Sequence, residues 1–458
     1  MEAWVLNMTV GDLLIDFAIV STLLLAGTLL RRYVGFFQRF LIPNSLIAGF
    51  LGLILGVELL GLIPFEPTRM GAYVYHLLAL TFISVGLHRS EQKHSFGVIN
   101  LGFMQVSVML IQGMVGLGIA VAVAVTMVPD LNPAIGMLLP LGFAMGPGIA
   151  YSIGQSWTAF GYADGGSMGL TMGAIGFLVA YFFGMFLVNR AAKKGQLGTI
   201  PNHVRTGIRS SDDRPVGARM SFSGASVEPL AVHLALVGAI YLGTWLLTNL
   251  LASLLSSAGL AQEIPVLWSF HFIFANVIAL VTRRLVLGGS RGNWIDEGMI
   301  HRITGTFAEF LIVTSIMGIS LTFALRFALP LLLICFVGAL LTYFFLKWTC
   351  RVIFSAYQFE RFIGMFAQMT GTISSGLALL RVTDPEYRSP VAQELVLSSG
   401  IALLLGFPLL LIINMPFILF DGSISGFLIV LSMMAGYLVL LLSAWALYFR
   451  NAPSEEQE

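Results

Sequence analysis

Eleven apolar runs, each bounded by polar or turn residues, leave this chain few ways to fold. They extend from Asp12 to Leu30, Pro43 to Leu62, Ala72 to Leu87, Phe96 to Val128, Ser167 to Asn189, Pro229 to Leu255, Pro265 to Val281, Ile303 to Leu325, Pro330 to Cys350, Pro390 to Pro416 and Ile424 to Phe449. A helix of about 20 residues crosses the ~30 Å hydrocarbon core of a bilayer. Only 10% of the 458 residues are charged and 57% are hydrophobic, whereas soluble domains carry about a quarter charged residues. The sequence therefore predicts an all-α polytopic membrane protein whose first partner is the lipid bilayer.

Charge order supports the span count. Glu2, Asp12 and Asp16 come before or at the start of the first run, and Arg31 and Arg32 follow it. That reverses the order of a cleavable signal peptide. With the N-terminus outside and the C-terminus inside, 22 of the 24 Lys and Arg residues fall on the cytoplasmic side, all but Arg69 and Arg326. The positive-inside rule expects such sorting. The loop from Arg190 to Arg219 holds seven of them. The net charge of +1 gives no footprint for nucleic acid.

Two stretches do not read as spans. One is 132–166, with Leu-Pro-Leu-Gly-Phe-Ala-Met-Gly-Pro-Gly at Leu139–Gly148; the other is 360–389, with Gln-Met-Thr-Gly-Thr-Ile-Ser-Ser-Gly at Gln368–Gly376. Both are rich in Gly, Ser and Thr, and the charge order returns each to the side it started from. They read as re-entrant segments, which survive at membrane depth only where protein or a water-filled cavity surrounds them.

A polar linker, 196–228, divides the chain, and the parts on either side repeat one layout. Ile42-Pro43 and Ile264-Pro265 open equivalent spans. Pro43 precedes Gly146 by 103 residues, and Pro265 precedes Gly371 by 106. The organisation expected is a first repeat over 1–195, the cytoplasmic linker, a second repeat of opposite orientation over 229–416, and an additional span with a short tail over 417–458. This is an inverted repeat of five plus five spans with two re-entrant segments and an extra C-terminal span. In transporters of this kind broken helices from both halves meet near the midplane. The candidate substrate site is therefore Gly146, Gly148, Thr370, Gly371, Thr372, Ser374, Ser375 and Gly376. Glycines permit close backbone approach and hydroxyls supply ligands.

Several polar groups at membrane depth join that list, since burying them unpaired is costly. Arg381 reads either as a bidentate partner for a carboxylate or as an arginine reaching the cytoplasmic surface, or pairing with Asp384 or Glu386. Glu309 reads either as a cation or proton ligand or as a hydrogen-bond partner for a neighbouring helix. Gln112 divides evenly between an ion-site role and a packing role. Asp164 reads as a helix cap beside Gly165-Gly166 in preference to a sodium ligand, Asp12 and Asp16 as groups meeting water, and His76, His233 and His271 as structural histidines. Cys335 and Cys350 read as apolar filler.

At Ile42-Pro43, Ile264-Pro265, Phe82-Ile83-Ser84-Val85-Gly86-Leu87, Gln112 with Gly116 and Gly118, Gly146-Pro147-Gly148, and Gly161-Tyr162 followed by Gly176, the chain resembles the bacterial sodium/glutamate symporter family. The resemblance covers most of the chain and lies in the order of elements. It implies a homodimeric, sodium-driven carrier of glutamate or a related small carboxylate in the bacterial cytoplasmic (inner) membrane, working by an elevator movement. Sodium enters as the coupling ion and no cofactor is implied. The first tip departs from the family pattern, which resembles Ser-Gly-Gly-His-Gly-Thr-Gly: Ala144-Met145 precede Gly146, and Pro147 stands where the family has His. The second tip is poorer in glycine, with Ser374-Ser375 and then Leu377-Ala378-Leu379-Leu380-Arg381. These changes fall where substrate should bind.

Two other classes compete. A channel would also use re-entrant segments, though channels surround one pore with parallel subunits. An intramembrane enzyme finds only Gly165-Gly166-Ser167-Met168-Gly169 and Gly288-Gly289-Ser290-Arg291-Gly292, neither preceded by a strand. Topology is directly testable. In a chain freed of Cys335 and Cys350, cysteines at Ser210 and Ser454 are expected to react with impermeant maleimide only from the cytoplasmic side. Labelling of either from outside would invert the assignment.

Overall fold

The computed structural model describes residues 10–88, 95–193, 227–286, 295–384 and 389–451, and every regular element among them is helical. The linker expected at 196–228 lies outside the described residues except for its last two. The first part of the chain forms α1 (Val10–Tyr33), α2 (Gly35–Phe40), α3 (Asn44–Leu55), α4 (Pro67–Leu87), α5 (Phe96–Thr126), α6 (Pro133–Met145), α7 (Pro147–Ser156) and α8 (Gly165–Lys193). The second part forms α9 (Pro229–Ser257), α10 (Ile264–Ser269), α11 (His271–Val281), α12 (Glu297–Met317), α13 (Leu321–Arg326), α14 (Ala328–Ile353), α15 (Gln358–Thr383), α16 (Val391–Phe420) and α17 (Ile424–Asn451). Among the described residues nine helices are long and apolar enough to cross a membrane, or ten with the pair at α10–α11, which bends by 60°. The protein is a multi-pass helical membrane protein.

Local chemistry sets several helix starts. The Ser95 hydroxyl accepts from Val98 N, and the Glu228 and Asp296 carboxylates accept from Leu230 N and Met299 N. Each satisfies a backbone donor that the first turn leaves unpaired. Pro67 and Pro229 stand at the first position of α4 and α9, where a missing N–H costs nothing.

Two groups of helices result. In one, α4 packs on α12, α3 on α12 and α11 on α4, with α1 against α3 and α9 against α11. In the other, α5 is surrounded by α14, α16 and α17, and α6, α7, α8 and α15 fill the space beside them. The largest apolar core is centred on this second group and extends to Leu46 and Ile47 of α3, Val74 and Leu78 of α4, Phe272 of α11 and Leu311 and Ile316 of α12.

Two runs and one acidic residue differ from the sequence expectation. The run from Pro43 to Leu62 ends as a helix at Leu55. There Gly56 caps α3, and Leu62 N and Ile63 N return to the Leu55 carbonyl. The run from Ile303 to Leu325 breaks after Met317. Glu58, from the loop beyond α3, accepts from Leu321 N at 2.9 Å and Thr322 N at 3.3 Å, and this long-range contact starts α13. Asp16 does not meet water. It is buried, with Arg69 Nη2 2.9 Å away and the Tyr73 hydroxyl at 3.3 Å. Arg69 is one of the two cations outside the charge sorting, and the other, Arg326, lies 3.3 Å from Asp130. Both exceptions carry an acidic partner.

The three histidines have structural partners, as expected. His76 bonds the Tyr241 hydroxyl, His233 bonds the Pro229 carbonyl and accepts from Asp296 N, and His271 lies against the Tyr75 and Trp268 carbonyls. Cys335 and Cys350 are free and buried.

The base of α15 is tied to the start of α16 by a buried ion pair. Arg361 Nε and Nη2 each lie 2.8 Å from a Glu394 oxygen, Nη1 donates to the Ala356 carbonyl, and the guanidinium covers the Phe354 ring at 4.2 Å. Removing one member of a buried pair leaves the other charge uncompensated, at about 3–5 kcal/mol. Glu394→Gln is therefore expected to lower the midpoint of thermal unfolding in detergent sharply. The double variant Arg361→Met/Glu394→Leu should recover most of the loss. Equal losses in both would show that the charges themselves are needed.

Candidate functional site

The centre of the second helix group is built on two breaks. At the first, Gly146 separates α6 from α7 with φ +98° and ψ 162°. At the second, α15 is interrupted at Gly371 (φ −148°) and Thr372 (φ +70°, ψ 169°). Gly146 and Thr372 thus adopt nearly the same backbone conformation, one that costs a β-branched residue about 1–3 kcal/mol.

Both breaks reverse the chain. Gly376 sits on the first arm of α15, where a Cβ would lie 2.7 Å from the Gly364 carbonyl oxygen and 3.0 Å from Gln368 Cβ. Twelve residues of unbroken helix would hold 364 and 376 about 18 Å apart. Further along, α16 follows the first arm in the same direction, with Arg361 meeting Glu394, Gly364 meeting Leu395 and Gln368 meeting Ser399. In the first hairpin α7 runs against α8 through a seam of small residues. Gly154 meets Gly165, Ala150 meets Gly169 and Pro147 meets Gly173, at distances that leave no room for a side chain on α8.

The two hairpins approach from opposite ends. Glu394, near the start of α16, marks the base of the second. Trp157, at the base of the first, donates 2.8 Å to Asn414 and rests on Phe417 near the other end of the same helix. Twenty residues of helix separate 394 from 414, about 30 Å of rise, which is the thickness of a bilayer core. Midway, Met145 Cε reaches Gly406, and a Cβ on Gly146 would lie 3.0 Å from Thr372 Cγ2. The tips touch.

No family model, curated protein or solved structure matches the chain.

The candidate residues sort into distinct groups around the tips. Thr372 is partly exposed and Ser374 exposed, so theirs are the accessible hydroxyls. The Thr370 hydroxyl is buried and donates to the Phe366 carbonyl within its own arm. Ser375 is buried and faces Tyr181 of α8, and its hydroxyl makes no hydrogen bond of good geometry. Gly148 packs under Leu78 of α4 and Leu311 of α12, and Gly376 packs on the first arm. These two serve close packing, as does Gly371 beside Ala180.

Gln112 joins the second break directly. Its Nε2 donates to the Met369 carbonyl and to the Thr342 hydroxyl, both at 2.9 Å. One amide therefore satisfies a carbonyl in the last turn before the break, while Gln112 Oε1 remains buried without a partner. Gln368 has the same form: Nε2 donates to Ser399, and Oε1 is buried and unpaired. Sequence reasoning missed Gln368, although it opens the second Gly-rich segment.

Arg381 and Glu309 lie away from the tips. Arg381 is exposed in the last turn of α15, nine residues beyond Thr372. Asn44 Nδ2 stands 3.4 Å from Glu309 Oε2, so the carboxylate joins α12 to α3. Arg31, at the end of α1, is within electrostatic range of both Glu309 and Arg381 and of Tyr181. Its Nε is buried without a hydrogen bond. In the sequence Arg31 registers only as a topology charge. Asp164 stands just before α8 but its side chain accepts no capping bond. Burial raises its carboxyl above the usual range, with Arg326 drawing it back.

The strain at the second tip is measurable. Thr372→Gly removes a β-branched side chain from a left-handed position and is expected to stabilise by a net ~1 kcal/mol. Gly146→Ala introduces that strain and is expected to destabilise. Thermal midpoints of the purified proteins should move in opposite directions. A fall for Thr372→Gly would mean that the threonine's contacts outweigh its backbone cost.

Proposed function

We propose that this chain is a secondary transporter, a sodium-coupled symporter of glutamate or a related small carboxylate. The observation that carries the reading is the meeting of Gly146 and Thr372, two helix breaks of like conformation reached from opposite ends of the bundle. A helix start aims N–H groups and a positive dipole end outward, which suits a carboxylate. Here α7 starts at the first tip with no side-chain cap. The end of a half-helix offers carbonyl oxygens, which suit a cation. Gln112 Oε1 and Gln368 Oε1, both buried and unpaired, flank the end of the first arm of α15.

The reciprocal packing supports an inverted repeat. The contact of α3 with α12 answers that of α11 with α4, and α1 on α3 answers α9 on α11. In that reading the hairpins are the re-entrant segments, and α1, α3, α4, α9, α11 and α12 form the scaffold. The helices around α5 carry the tips and slide past it in an elevator movement. Arg31 from the scaffold and Arg381 from the moving part form a cationic margin that draws anions toward the tips. The working unit is a homodimer in the bacterial inner membrane, with the N-terminus outside and the C-terminus cytoplasmic.

Uptake by proteoliposomes tests this. Labelled glutamate, or another member of a panel of di- and tricarboxylates, should accumulate above equilibrium with an inward sodium gradient and equilibrate when the gradient is collapsed. Gln112→Leu should raise the sodium concentration for half-maximal uptake about tenfold, the equivalent of ~1.4 kcal/mol. Rapid downhill flux without accumulation would identify a channel. Accumulation driven equally by a proton gradient would replace sodium as the coupling ion.

A further inference from the structure

At the end of the bundle that holds Arg361 and Glu394, the last turns of α8 and α14 and the start of α15 leave a cavity of about 300 Å³. Arg190, Lys347 and Arg351 line it, with Tyr343, Phe359 and Phe362, and among the described residues no carboxylate does. Lys347 Nζ donates 2.9 Å to the Tyr343 hydroxyl and lies 5.1 Å over that ring, so the ammonium is held against the wall. Gln358 and Phe359 belong to the first turn of α15, whose N-cap residue Tyr357 makes no side-chain capping bond. Three cations and an open helix start thus converge on one space, an arrangement suited to a phosphate.

The surroundings are apolar and face outward. Phe186 precedes Arg190 by one turn of α8, and Phe344 and Trp348 alternate with Lys347 and Arg351 along α14; all three aromatic side chains are more than half exposed. A soluble anion would use the cations alone. A phospholipid would use both, with acyl chains along the aromatic side chains and the headgroup above them. The charge sorting assigns this end to the cytoplasmic leaflet, where anionic lipids and juxtamembrane cations meet.

We infer that this cavity binds the headgroup phosphate of an anionic phospholipid, which joins α8 and α14 to the base of the second hairpin. The site is separate from the tips and does not depend on what they carry.

Native mass spectrometry and thermal unfolding of the full chain in detergent test it, with phosphatidylglycerol, phosphatidylcholine and glycerol 3-phosphate as probes. Phosphatidylglycerol should bind in preference to phosphatidylcholine and raise the unfolding midpoint. Lys347→Gln/Arg351→Gln should weaken that binding about 25-fold, roughly fivefold for each cation. Lys347→Arg/Arg351→Lys should retain it. Should the neutral double variant fail to purify, Arg190→Gln is expected to show the fivefold loss alone. Equal binding of the two lipids, or undiminished binding in the neutral variants, would overturn the assignment. Glycerol 3-phosphate binding as tightly as the lipid would also overturn it and make the cavity a soluble-anion site.

Discussion

Backbone groups freed where a helix breaks within a helix bundle find no partner in the apolar side chains around them, and this constraint organises the whole second helix group. Each break at 146 and 371–372 interrupts a ladder of hydrogen bonds in the middle of an apolar protein. The freed groups must therefore be met by protein, or by water where the tips are accessible. Gln112 does so for the Met369 carbonyl. The other requirement is close cover, and the seam of Gly165, Gly169 and Gly173 brings α7 against α8 with no side chain between them. The broken helices thus determine what α5 and α8 must be.

The same logic explains where charge is spent. A bidentate Arg361–Glu394 pair is a poor source of net stability compared with apolar packing, because both ions lose their hydration. Its position at the root of the second hairpin gives a different return: it aligns α15 and α16 in one register, from which Gln368 meets Ser399 and the tip reaches Gly146. Arg69 and Asp16 make the corresponding tie between α1 and α4. The polar contacts that cross between helices, such as these two ion pairs and the Gln112–Met369 bond, tie elements together, while apolar contacts fill the space between them.

The candidate site was readable in part. Gly-rich, hydroxyl-rich segments at 139–148 and 368–376 stand out because no lipid-facing helix can be built from them, and the structure brings their centres into contact. Roles within those segments were not readable. Thr370, Ser375, Gly148 and Gly376 have the composition of a binding loop, yet their neighbours turn them inward. Arg381 follows the tip closely in sequence, but nine residues of helix carry it to an exposed last turn.

What the sequence determined by itself is the solvent each segment can bear. Apolar length, charge order and glycine content report transfer between water and hydrocarbon, a property each stretch of chain has before it meets any other. Helical class, the positions of most helices and the two Gly-rich breaks all follow from that. Only the tertiary structure decided which groups are satisfied and by whom: Glu58 starting α13, Arg69 neutralising Asp16, and Gln112 holding the end of a broken arm. These are pairings across 53 to more than 250 residues. Their geometry exists only once the helices have packed, because a hydrogen bond is a property of two positions in space and a run of sequence specifies one.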